Sequence, residues 1–338
     1  MKKENIRIGV VGTGAIGRSH MERINKKLHG GWVTACTDAN LKAGQTVAEQ
    51  YGCKLYESGE ALIASAEIDA VIVTTADMAH EKYVLEAVKQ NKYVFCEKPL
   101  APEPEACRRI VEAEMKGKRH LVQVGFMRRY DMGYRQLKEA VKSGIYGEPL
   151  LLHCAHRNPA VDESYTTKMA VENSMIHEID VLRWLLEEDY ATVEVVFSKN
   201  TRRAHERLRD PQTMILTTKS GVRIDVEAFV NTGHCYDIKC EICCEDGILN
   251  LPEPANIRVC ADGKRGYAVH GDWSERFEAA YDTELQEWID GVRRGRIDGP
   301  TAWDGYVGQV TAGAASKARD KQETVEIEIE ERPKFYRE

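Results

Sequence analysis

No apolar run in this 338-residue chain approaches the ~18 residues that a membrane-spanning helix needs. The chain also passes from Met1-Lys2-Lys3 directly towards a β-branched strand, without the apolar core of a signal peptide. The expectation is a cytoplasmic protein with no membrane partner. Long basic runs are missing too, and the net charge is −7. Nucleic acid is therefore not an expected partner, because a phosphate backbone requires clustered Lys and Arg. There is no internal repeat, low-complexity tract or long linker. Of the ten cysteines, Cys235, Cys240, Cys243 and Cys244 are close in sequence, but they lie in a strand-like stretch and lack the two Cys-x-x-Cys knuckles of a structural zinc site. The expectation is reduced thiols and no metal. What remains, 43% hydrophobic and 30% charged residues, is an ordinary globular composition long enough for two domains with a cleft between them.

The N-terminal part alternates strands and helices. Ile6 to Val11 is a β-branched run feeding Gly12-Thr13-Gly14-Ala15-Ile16-Gly17, and a helical pattern follows through Leu28. This is G-x-G-x-x-G in its strand-turn-helix setting. Gly12 permits the tight turn, Gly14 lets a pyrophosphate approach the backbone, and Gly17 allows helix to pack on strand. The unpaired N–H groups at the helix start suit phosphate. A second strand, Trp32 to Thr37, ends at Asp38, which is 21 residues beyond Gly17 and where a carboxylate holds a ribose diol. The alternative for Asp38 is a helix cap before Leu41 to Tyr51. Asp38 repels a 2′-phosphate and no arginine follows it in residues 39–43, so NAD is expected rather than NADP.

The alternation continues to Ala70–Thr75, a buried strand. Thr74, Thr75 and His80 follow its carboxyl end and are expected on the nicotinamide side, although His80 would serve equally as a helix-start residue. Tyr93 to Cys96 reads as a further buried strand that ends abruptly at Glu97-Lys98-Pro99, placing ionisable groups at a sheet end where open α/β sheets carry chemistry. A helix from Glu103 to Lys116 and a strand from His120 to Val124 complete a six-stranded, doubly wound parallel sheet.

Beyond Gly125 the alternation stops. Stretches at 150–156, 192–199, 213–218, 222–230, 236–244 and 247–251 read as strands, with turn signals at Gly221 and Asp246-Gly247. The expected fold class is therefore α/β: an N-terminal Rossmann domain over residues 1–125, and over 126–338 an α+β domain with a mostly antiparallel, open sheet. One helix, predicted over Glu172 to Glu187, interrupts the strands. Met175, Ile179, Leu182 and Leu186 share its apolar stripe, while Asn173, His177, Asp180 and Trp184 line up beside it as a polar, cleft-facing row. At i, i+3 the Asp180 carboxylate can reach His177.

Taken together, Gly12 to Gly17, Glu97-Lys98-Pro99, Gly125-Phe126-Met127-Arg128-Arg129-Tyr130-Asp131 and His177-Glu178-Ile179-Asp180 resemble the Gfo/Idh/MocA oxidoreductase family, and within it the inositol dehydrogenase branch. The resemblance runs over nearly the whole chain. It implies NAD as cofactor, oxidation of a ring alcohol to a ketone, and a second domain whose open sheet forms oligomer contacts, with a homotetramer plausible. The inositol enzymes work with a Lys in Glu-Lys-Pro, a His in the His-Glu-Ile-Asp helix, and an Asp four residues before that His. The first two fall on Lys98 and His177; the third falls on Asn173, which cannot ionise. Either Asp180 takes over, or the chain is tuned to another substrate, or it is an inactivated variant.

Hydride leaves an alcohol carbon only as the hydroxyl proton is removed. His177, of ordinary pKa about 6.5, suits the base. Lys98, cationic at neutral pH, suits the reacting oxygen. Glu97 is expected to orient Lys98 or the loop, and both stand with the cofactor-facing residues. By resemblance, Arg128, His156, Asn158, Asn173, Asp180 and Tyr236 hold the other hydroxyls of a polyol. Competing expectations are oxidation of a sugar or glycoside at C1 or C3, with Arg128 and Arg129 leaving room for an anionic sugar; a redox-assisted glycosidase; and, from a different class, a cofactor-binding sensor.

Overall fold

In the computed structural model, residues 5–253 and 256–337 are described; the reading of Met1-Lys2-Lys3 lies outside them. The first compact unit comprises the chain up to Met127, Tyr281–Gln309, and the chain from Glu330 on. Its strands are β1 (Ile6–Val11), β2 (Gly31–Thr37), β3 (Lys54–Leu55), β4 (Ala70–Val73), β5 (Tyr93–Glu97) and β6 (Val122–Gly125). Between them run α1 (Ala15–Lys26), α2 (Leu41–Tyr51), α3 (Gly59–Ala64), α4 (His80–Lys89) and α5 (Pro104–Gly117). The sheet is parallel throughout, in the order β3-β2-β1-β4-β5-β6 of a Rossmann fold. Strands β4, β5 and β6 are buried along their whole length, which is why they read as unbroken runs rather than alternating ones.

The sequence reading divides the chain once, between 125 and 126. The compact units instead part after Met127 and again at 280/281, 309/310 and 329/330. The physical reason is the helix Glu278–Arg294. Its Leu285, Trp288, Ile289 and Val292, one face at helical spacing, join the core made by Ile6, Ile8, Val10 and Phe95. Trp288 meets Phe95 edge-on, with centroids 5.8 Å apart.

The second unit comprises Arg128–Ala280 and Val310–Ile329. Its strands are β7 (Pro149–Arg157), β8 (Tyr190–Phe197), β9 (Gln212–Thr218), β10 (Arg223–Phe229), β11 (Asp237–Cys244), β12 (Ile248–Asn250), β13 (Arg258–Ala261), β14 (Lys264–Tyr267) and β15 (Val325–Glu326). Seven of them form one sheet, ordered β12-β11-β7-β10-β9-β8-β15. Only the β7–β10 neighbours run parallel. Alternate residues of β9, β10 and β11 are buried, so one face of the sheet is covered and the other is open, as alternation predicts. The hairpin β13–β14 lies outside this sheet, and its short, exposed strands give no periodic signal.

The predicted helix over 172–187 is corrected. Residues Ala170–Ser174 form a π turn, closed by Met175 N–H donating to Ala170 C=O at 3.0 Å, and the α-helix proper spans Ile176–Leu186. The spacing argument assumes 3.6 residues per turn, and a π turn breaks that assumption between Asn173 and His177. Such turns recur at functional sites.

Candidate functional site

The first unit builds a nucleotide cradle at the carboxyl ends of β1, β2 and β4. Gly12 N–H donates to Thr37 C=O, Thr74 N–H to Val11 C=O (both 2.9 Å), and the Thr74 hydroxyl to Gly12 C=O at 2.6 Å. Gly12 has φ +97°, and a Cβ at Gly17 would come 2.2 Å from Gly12 O; neither position admits a side chain. A Cβ at Gly14 meets nothing within 4 Å. That open approach, beside a helix whose cap has no side chain and whose first turn has no acid, is what a diphosphate requires.

Asp38 folds back onto this turn. Its Oδ2 accepts from Thr13 N–H at 2.7 Å and the Thr13 hydroxyl at 2.8 Å, and its Oδ1 from Asn40 N–H at 2.9 Å. The helix cap is Asn40, whose side chain accepts from Ala43 N–H. Partial burial opposes ionisation, yet the Asn40 and Thr13 donors, helped by Arg18, hold Asp38 below the usual carboxylate range. A carboxylate so fixed is suited to accept from a ribose diol.

At the end of β5, Glu97 is buried and its Oε1 lies 2.7 Å from His20 Nε2. Its other oxygen accepts Lys98 N–H at 3.2 Å. Lys98 is half-buried, and the Lys98–Pro99 peptide bond is cis. His80, 1% exposed at the start of α4, has Nδ1 2.7 Å from Pro99 O and Nε2 3.1 Å from Thr75 O. Thr75 is half-buried beside the buried Thr74. The structure thus brings Thr74, Thr75, His80, Glu97 and Lys98 together on adjacent strand ends. His20 escapes sequence reasoning because it lies 77 residues from its partner, on a helix row that reads simply as core.

In the second unit, His177 (8% accessible) and Asp180 (3%) of the polar row are buried, as is Glu178 (1%), while Asn173 and Trp184 are half-buried. Each acid meets an arginine from the turn after β6. Asp180 takes a bidentate pair from Arg129, 2.8 Å at Nε and 2.5 Å at the terminal nitrogen. Glu178 takes Arg128 and lies 3.0 Å from His156 Nδ1. Burial opposes the ionisation of Glu178, but Arg128 and His156 prevail and bring it down to about 2. The His156 ring lies 6.5 Å from that of His177 and 5.9 Å from that of Tyr236. Burial pushes the Tyr236 hydroxyl up to about 12, against the pull of Arg128. The oxygen of the Asn158 side chain is buried with no hydrogen-bond partner among the described residues.

Asn173 is half-buried in the π turn between two anchored neighbours. Glu172 accepts from the Ser316 hydroxyl at 2.7 Å, and Ser174 shares a 2.6 Å hydrogen bond with Tyr165. Thus Arg128, His156, His177 and Tyr236 lie in one group, Asp180 is paired with Arg129, and Asn173 stands in a turn braced through both of its neighbours. Sequence reasoning missed the role of Glu178; its alternation with His177 and Asp180 in a helix next to Arg128-Arg129 was the available signal.

All ten cysteines are thiols. Among the described residues one group, His153, Glu241 and Cys243, brings potential metal-ligating atoms within 4.8 Å of one another on the second unit's sheet. His153 Nδ1 already lies 2.9 Å from Asp225.

Two family descriptions match the chain: an oxidoreductase family with NAD-binding Rossmann fold over residues 6–126, and the C-terminal α/β domain of the same family over 138–327. An inositol 2-dehydrogenase of Pseudomonas savastanoi pv. phaseolicola is 51% identical over 333 residues, 98% of this chain and 99% of the relative. One from Serratia proteamaculans is 49% identical over the same shares. Among solved structures, myo-inositol dehydrogenase from Lactobacillus casei in complex with NAD(H) and myo-inositol superposes with a TM-score of 0.96 at 39% identity, covering 98% of this chain and 99% of the other.

Proposed function

The chain belongs to the Gfo/Idh/MocA oxidoreductase family, and from that premise we propose that it oxidises a ring secondary alcohol of an inositol to the ketone with NAD. The observation that carries this reading is 51% identity to an inositol 2-dehydrogenase across 98% of the chain. The cradle fits the cofactor: Gly12 and Gly17 close the turn, Gly14 leaves the approach open, and Asp38 is held ionised where a 2′-phosphate would be repelled. NAD, when bound, supplies the hydride acceptor.

The residues divide the rest of the work. His177 takes the proton of the reacting hydroxyl, and Lys98 donates to the same oxygen as its negative charge develops. Glu178, kept ionised by Arg128, neutralises a guanidinium that would otherwise depress a neighbouring imidazole's basicity. The unmet Asn158 oxygen, with His156 and Tyr236, is suited to the remaining hydroxyls. Arg129 with Asp180 holds the His177 helix in place.

An anionic sugar is a weaker substrate candidate, because Arg128 and Arg129 are each matched by a buried carboxylate. We place the protein in the cytoplasm as a homotetramer. Supporting this, no helix among the described residues is long and apolar enough to cross a membrane, and Leu150, Ile248, Val259 and Tyr267 are exposed on the second unit. Light scattering should give four times the chain mass; a monomer at micromolar concentration would remove the oligomer.

A panel of inositols, free sugars, sugar phosphates and glycosides, read as NADH absorbance, tests the function. NADH with myo-inositol is the expected outcome, and far less with NADP in place of NAD. Activity confined to sugars or glycosides would transfer the assignment to them, and silence with every polyol would favour a cofactor-binding sensor.

A further inference from the structure

We propose that His80 is a positioning residue for Lys98, acting as a clasp between the loops that follow β4 and β5. The proposal rests on the reading of Lys98 as the group that holds the reacting oxygen. Strand pairing ends at Glu97, opposite Gly125, so the ladder does not fix Lys98. Its main chain is held by side chains instead. On one side the Lys98 N–H donates to Glu97 Oε2 at 3.2 Å, and the other Glu97 oxygen is pinned by the fully buried His20 at 2.7 Å. On the other side Pro99 O meets His80 Nδ1 at 2.7 Å, while His80 Nε2 lies 3.1 Å from Thr75 O.

Carbonyl oxygens only accept, and a ring carrying one N–H can donate to only one of the two. The shorter one, to Pro99, takes the Nδ1 proton. A lysine side chain has four rotatable bonds, and where its ammonium group can reach depends on the position and direction of its Cα. A shift of about 1 Å in a reacting group costs on the order of 10²-fold in rate. The clasp to Pro99 is therefore the contact that matters for turnover.

Two amides separate these contacts, because Asn places its nitrogen near the position of Nδ1 and Gln near that of Nε2. His80→Gln and His80→Phe are expected to lower kcat for myo-inositol on the order of 10²-fold, with KM for NAD within about threefold. His80→Asn restores kcat to roughly tenfold above His80→Gln. Hydrogen–deuterium exchange of the peptide covering residues 97–101, measured without substrate, should rise in the Gln and Phe variants and stay near wild type in Asn. Unchanged kcat and exchange in Gln and Phe would overturn the proposal. So would equal losses in all three variants that track a lowered unfolding midpoint, since that pattern belongs to bulk stability. If the wild type forms no NADH with any polyol, the functional reading fails, and the exchange measurement still decides the clasp.

Discussion

At the scale of single residues, the proposed chemistry rests on two groups of opposite duty, His177 and Lys98. An imidazole must be neutral before it can take a proton, and a lysine must keep its proton to donate to a developing alkoxide. Lys98→Ala and His177→Ala are each expected to lower turnover by roughly 10²- to 10⁴-fold while NAD binding, followed by fluorescence titration, stays near wild type. Near-normal turnover in both would sink the assignment. Asn173 stands where the resemblance to the inositol enzymes leads one to expect an acid. A carboxylate there would favour the imidazolium form of a nearby base, raising its pKa. For Asn173→Asp, the rising limb of kcat/KM against pH is therefore expected to move to higher pH, by roughly half a unit to one unit. An unmoved limb would show that position 173 does not sense the base.

At the scale of elements, the His177 helix is fastened by an ion pair that sequence periodicity could not reveal. Arg129 and Asp180 are both buried and meet through two hydrogen bonds. Removing one partner leaves a buried charge uncompensated, at a cost of about 3–5 kcal/mol. Asp180→Asn should therefore lower the stability of the protein in urea by that order, and Arg129→Met combined with Asp180→Leu should recover much of the loss. A single variant as stable as wild type would contradict the pairing. Strands β1 to β12, the parallel sheet and the glycine turn were legible in the sequence because each follows from local periodicity or a local turn; the short strands β13, β14 and β15 were not. The π turn at Ala170–Ser174 was not, since no proline or glycine marks it. Nor were the partners of Glu97 and Asp180, because i, i+3 reasoning sees only neighbours on one helix and cannot bring Arg129, 51 residues away, to the two oxygens of Asp180.

At the scale of the whole molecule, two buried carboxylates with opposite shifts shape how stability depends on pH. Glu178, near 2 when folded and about 4.5 when unfolded, stabilises the fold fully above the unfolded value, and its contribution is lost as pH falls towards 2. Glu114 has the opposite sign. It accepts Leu121 N–H at 2.6 Å, Val122 N–H at 2.9 Å and the Tyr336 hydroxyl at 2.7 Å, fastening the C-terminal segment to α5, yet burial outweighs these donors and pushes it up to about 7. Between about 4.5 and 7 the folded chain holds this proton and the unfolded chain does not, so stability declines as pH rises through that window, by at most about 3 kcal/mol. Glu114→Gln removes the titration while keeping the geometry, since an amide oxygen can accept the two backbone N–H groups and its nitrogen can donate to Tyr336. Denaturant unfolding at pH 5, 6, 7 and 8 should show wild-type stability falling and the variant nearly flat, the two curves diverging towards pH 8. Parallel curves would mean that Glu114 titrates at its ordinary value and that its three donors, not its burial, decide its charge.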